Sequence, residues 1–126
     1  MYERFQDAAS VAVVTAKEMI SLILETGEAP EIVETDDVLV YYSIFENFMQ
    51  TMKYKTMVPP DMKEVFRDKM EVIEGRMYQL ALTNPKMLQK VSEFEYFPRF
   101  FTPDIPLAQL TMGMPPEPEM LSLIHI

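Results

Sequence analysis

The chain contains no cysteine and no tryptophan, three isolated glycines and one histidine. Without cysteine there is no disulfide framework, no thiolate nucleophile and no thiolate-ligated metal. Three scattered glycines cannot form a phosphate-cradling loop, and no Ser-His-Asp or Cys-His set can be assembled. Long uninterrupted apolar runs are absent too. The stretch from Ala8 to Leu24 carries Lys17 and Glu18 near its centre, where each charge would oppose insertion into a bilayer by several kcal/mol. Glu3 and Asp7 interrupt any leader-like start. The expectation is a soluble cytoplasmic protein, or one of the host-cell cytoplasm if the source is viral, with no membrane partner.

Bases are scarce in the first part of the chain. Residues 1–52 hold ten acids against Arg4 and Lys17, whereas residues 53–90 hold eight bases against five acids, within a formal net charge of −9. The acidic part repels nucleic acid and anionic lipid, and the modestly basic middle is mostly a helix face balanced by its own acids, so no nucleic-acid partner is expected.

What the chain does have is apolar periodicity. At 126 residues and 48% hydrophobic composition it suits one domain, able to bury roughly two thirds of the surface of its unfolded form. From Pro60 to Thr83 the apolar positions Met62, Phe66, Met70, Ile73, Met77 and Leu80 advance in steps of four and three, which is one side of a helix; Lys63, Glu64, Arg67, Asp68, Glu71 and Arg76 take the other. Gly75 within this helix costs close to 1 kcal/mol against Ala, and close approach to alanines of a neighbouring helix is the expected reason for it.

A first helix is predicted over Tyr2–Glu25, with Phe5, Ala8, Ala9, Ala12, Ala16, Met19, Ile20 and Ile23 inward and Gly27 ending it in a left-handed turn. Glu28–Asp37 reads as an acidic linker. It lacks the alternating acids and the turn glycine of an EF-hand loop, so a solvated linker with Thr35 as helix cap is expected and not a calcium site. A second helix is predicted over Val38–Lys55, with Val38, Tyr41, Tyr42, Phe45, Phe48, Met49 and Met52 on a face broad enough to make it central. Asn84-Pro85 supplies a cap and a first-turn proline for a short fourth helix with Met87, Leu88, Val91 and Phe94 inward. The fold expected is all-α: an up-down bundle of three long helices plus one short one over residues 1–97.

Residues 98–120 contain six of the ten prolines when Pro98 is included, and read as an extended Pro/aromatic arm. Its apolar side chains are too many to float in water. The wrap onto the bundle is expected for residues 94–101, and exposure or disorder beyond Met112. Phe97, Phe100, Phe101, Ile105, Leu107 and Leu110 are the candidate partner-binding residues.

The last six residues, Leu121 to Ile126, match the translation of a transposon-end sequencing adapter, CTG TCT CTT ATA CAC ATC. They are expected to be an artefact to exclude from fold reasoning, with the natural protein continuing past Met120. His125 lies within them, which removes imidazole from the chemistry of the rest and with it the Glu-x-x-His motif of a di-iron carboxylate bundle.

One constellation bears on chemistry. Glu71 and Glu74 are spaced i,i+3 on the Pro60–Thr83 helix, with Glu64 and Asp68 before them, and carboxylates at this spacing can share a Mg²⁺. This resembles the all-α nucleotide pyrophosphohydrolases, whose resemblance would imply metal-dependent cleavage of a nucleotide phosphate with Glu71 and Glu74 as metal ligands. Those families carry a second inward-facing acidic motif on an adjacent helix; here that helix offers only Glu46 and its capping acids. The main expectation is therefore a non-enzymatic protein-protein interaction or assembly module, such as a virion or microbial complex subunit, with no catalytic residues, no cofactor and no metal. Its partner would be another protein or a second copy. An acidic decoy for a nucleic-acid-binding protein is a third reading. Twelve methionines, among them Met49, Met52, Met70 and Met77 on predicted core faces, are expected to fill gaps in the core, with a pliable partner groove as the competing use.

Overall fold

The computed structural model describes residues 8–33 and 36–113. These residues form six helices and no strand: α1 (Ala8–Thr26), α2 (Val38–Met49), α3 (Met52–Met57), α4 (Pro60–Thr83), α5 (Pro85–Ser92) and α6 (Leu107–Gly113). The fold is all-α, as the periodicity requires. Expectations for residues 1–7, 34–35 and 114–126, including Phe5 and the adapter-like end, lie outside the described residues.

The helix borders follow from local chemistry. α1 ends at Gly27, whose φ of 77° is open to glycine at little cost, and the Gly27 amide closes the last turn by donating to Ile23 O at 2.8 Å. α2 is capped by Asp37 and not at Thr35 as expected: the Asp37 side chain accepts from the Val40 amide at 3.3 Å and so satisfies a first-turn donor itself. α4 begins with Pro60 in its first turn and runs the full predicted length to Thr83. Asn84 then caps α5 by accepting from the amides of Lys86 (2.9 Å) and Met87 (3.4 Å).

The predicted second helix is broken. α2 stops at Met49 and α3 restarts at Met52, because Thr51 adopts an extended conformation (φ −75°, ψ 154°) and uses its hydroxyl twice, donating to Phe48 O at 2.6 Å and accepting from the Tyr54 amide at 3.2 Å. A short β-branched hydroxyl residue competes with the helix in this way. The turn redirects the chain. Tyr54 swings onto Phe66 (5.4 Å between ring centres) and Phe48 (5.7 Å), while Met52, expected inside, is 70% exposed.

α2 packs against both α1 and α4, α4 packs against α5, and α1 touches α4 more lightly. The centre is built from the predicted stripes: Ala12, Ala16, Met19, Ile20 and Ile23 of α1, Tyr41, Tyr42 and Phe45 of α2, and Phe66, Met70, Ile73 and Met77 of α4 are all buried. α5 adds Leu88 and Val91. The aromatic rings meet edge-on for the most part, as their quadrupoles favour: Phe45 lies 6.0 Å from Phe66 and Tyr42 lies 5.0 Å from Phe94 and 5.9 Å from Phe97.

After α5 the chain folds back over α4. The proline-rich stretch is not extended throughout, since residues 107–113 turn into α6, started by the Pro106 carbonyl, which accepts from the amides of Gln109 and Leu110. Leu-Ala-Gln-Leu is a run of good helix formers with no proline inside it, which is why the helix forms there and not earlier.

Candidate functional site

The most specific polar arrangement sits where this returning segment crosses α4. Glu74 is 0% exposed, and its two carboxylate oxygens are filled by three successive backbone amides: Arg99 N donates to Oε2 at 2.7 Å, and Phe100 N and Phe101 N donate to Oε1 at 2.8 and 2.9 Å. Burying a lone carboxylate would be prohibitive, and charge-assisted hydrogen bonds from converging amides are what make it tolerable. Glu74 is thus a clasp that holds the segment 99–101 in one register.

Side chains around the clasp fix the rest of the crossing. Phe101 lays its ring over Gly75, where a Cβ would lie 3.4 Å from Cδ1 and Cε1, and packs 5.6 Å from the Tyr78 ring. Gly75 therefore faces the returning segment and not the alanines of α1. Tyr78 donates its hydroxyl to Ile105 O at 2.7 Å. Arg99 lies 3.6 Å from Glu46 Oε2 and spreads over the rings of Tyr96 and Phe100. Glu46 also accepts from the Tyr42 hydroxyl at 3.4 Å, so α2, α4 and the segment are joined through one chain of polar contacts.

The two carboxylates read from sequence as a metal pair do not act together. Glu71 is exposed on the outer surface of α4, beside a shallow depression lined by Val72, Gly75, Arg76, Gln79 and Phe101, while Glu74 turns inward to the amides. Among the described residues no three acidic, histidine or cysteine side chains gather where they could hold a metal ion. The role of Glu74 as an internal anchor was missed at the level of motif, although its spacing carried the signal: it lies four residues after Met70 and three before Met77, on the buried stripe.

The six candidate partner-binding residues divide. Phe97 is buried in the core, and Phe100, Phe101, Leu107 and Leu110 pack partly buried against it, so their apolar surface is spent largely within the chain. Ile105 is exposed, and its carbonyl accepts the Tyr78 hydroxyl.

Apolar surface remains open elsewhere, on α1. Val11, Val14 and Leu22 are 54%, 56% and 43% exposed, and they lie on the far side of the helix from its buried row. Between α1 and α2 runs a cleft of about 600 Å³ lined by Val13, Leu39, Val40, Ile44 and Phe94, with Lys90 and Glu93 at its rim. No described helix is long and apolar enough to cross a membrane.

Titration behaviour follows burial. The Tyr41 hydroxyl is pushed up to about 12, first by burial and then by its hydrogen bond to Asp36 Oδ1 at 3.0 Å. Tyr42 is raised as well, by burial and then by the negative charge of Glu46. Lys69 is lowered by burial, partly countered by Glu31. No protein-family model matches the chain, and neither the curated proteins nor the solved structures contain a match to it.

Proposed function

We propose that this chain is a non-enzymatic helical interaction or assembly module, an up-down bundle whose C-terminal segment is folded onto its own α4 and whose contact surface is carried by α1. The observation that carries the reading is that α1 is apolar on two separate sides. One side, Ala12, Ala16, Met19, Ile20 and Ile23, is buried against the other helices; the other, Val11, Val14 and Leu22, stands open. An open apolar row on a helix already packed along its other side offers area for a second neighbour. The carboxylates that a metal-dependent hydrolase would need point in different directions, and the better placed of them is consumed by the clasp.

A photo-crosslinking amino acid placed at Val14 of the full chain tests this in lysate of the source cells, alongside light scattering of the purified chain. Crosslinks from position 14 that exceed those from an exposed polar position, Gln89 of α5, are expected. A chain that stays monomeric and crosslinks no more from position 14 than from position 89 would remove the reading.

A further inference from the structure

We infer that the open face of α1 receives a basic amphipathic helix, docked along the row Val11, Val14, Glu18, Leu22 and Glu25. The inference rests on the interaction reading above and adds the chemistry of the partner. These five residues advance in steps of three, four, four and three, the spacing of a helix-pairing seam, and all five are exposed. From Val11 to Leu22 the row spans about 16 Å, three turns of helix. Val14, Glu18, Leu22 and Glu25, with Lys17 and Ser21 beside them, also border one surface depression.

The acids in the row decide between occupants. Glu18 sits at its centre, so a second copy of this chain in full overlap would set Glu18 against its own counterpart whether the two helices ran parallel or antiparallel. Glu25 would add further acid, and the two copies would meet with a charge of −9 each. Like charges inside a helix-helix seam are destabilising. A partner helix with Lys or Arg facing Glu18 and Glu25, and Leu or Val facing Val11, Val14 and Leu22, satisfies every position. The acidic first part of the chain, in which Lys17 is the only base among residues 8–52, would also speed its approach.

Two synthetic helical peptides serve as probes, identical in a seam of leucines and differing only in carrying Lys or Glu at the flanking positions. Fluorescence anisotropy with the full chain is expected to show the Lys peptide bound about tenfold more tightly than the Glu peptide, with affinity falling as salt is raised. Val14→Asp should abolish binding, and Glu18→Lys with Glu25→Lys should reverse the preference. Because these positions are exposed, circular dichroism should show the same helix content in all variants. Equal binding of the two peptides, a preference for the Glu peptide, failure of both to bind, or a homodimer dispersed by Val14→Asp would each overturn the inference. The dimer would leave the interaction reading standing with a different occupant, whereas loss of the crosslinks at position 14 would remove that reading itself.

Discussion

At the scale of single residues, Glu74 has the largest expected effect on stability per atom changed. The carboxylate is fully buried and takes all three amide bonds, so replacing it leaves those donors facing a weaker or missing partner. Glu74→Gln, which keeps the shape but turns one acceptor into a donor, should cost about 3 kcal/mol in urea unfolding. It should also speed hydrogen exchange at Arg99, Phe100 and Phe101 more than elsewhere; unchanged exchange at those amides would show that the clasp does not hold the segment. Tyr41 supplies a pH dependence. Its hydroxyl moves from 10.0 to about 12 on folding, so the folded chain holds the proton more tightly than the unfolded one. The stability this confers is fully present below pH 10 and is lost as pH rises from 10 towards 12. Tyr41→Phe should flatten that part of the alkaline unfolding curve, and the difference in tyrosinate absorbance between the two proteins should show the missing ionisation above pH 10. The site was only half legible in the residues. Spacing alone places Glu74 among Met70, Ile73 and Met77, but a Glu-x-x-Glu pair reads equally as a charged surface, and nothing local to α4 announces amides arriving from 25 residues downstream.

At the scale of elements, Gly75 shows how a packing expectation can be right in kind and wrong in partner. The glycine does sit at a close crossing, but with the Phe101 ring and not with α1. A methyl group there would meet the ring at 3.4 Å, ordinary van der Waals distance, and the φ of Gly75 is not positive. Gly75→Ala should therefore stabilise the protein by up to about 1 kcal/mol through helix propensity. Gly75→Val, with two branches at Cβ, should instead displace the ring and lower the melting temperature. A fall with alanine as well would mean that the Phe101 ring has no freedom to adjust. The contrast between α4 and the α2–α3 pair explains what periodicity can and cannot see. α4 has Pro60 at its start, Asn84-Pro85 at its end and an unbroken stripe between, so its limits were readable to the residue. The stripe from Val38 to Lys55 is just as regular, yet it is interrupted by one threonine whose hydroxyl satisfies the backbone by itself, and the aromatic contacts of Tyr54 with Phe48 and Phe66 reward the break. Those contacts are tertiary. A helix period cannot register them.

At the scale of the whole molecule, the uneven charge adds a repulsive term to the conformational entropy that the core must overcome. Ten acids against two bases in residues 1–52 place repulsion on the same portion of the chain that forms α1, the linker and α2. Added NaCl screens that repulsion over about 10 Å at moderate ionic strength, so the melting temperature should rise with salt and then level off. A steady fall would mean instead that ion pairs such as Arg99 with Glu46 contribute more than the repulsion costs. The plateau also gives a clean setting for the metal question. Once general screening is saturated, any further rise on adding Mg²⁺ must come from a site that binds the folded chain in preference to the unfolded one. With Glu71 facing solvent and Glu74 committed to three amides, no such rise is expected in the plateau region, and Glu71→Gln should leave the curve where it was. A Mg²⁺-dependent increase that disappears in Glu71→Gln would return the carboxylate pair to consideration, because it would require Glu74 to leave the clasp and the segment 99–101 to come away from α4.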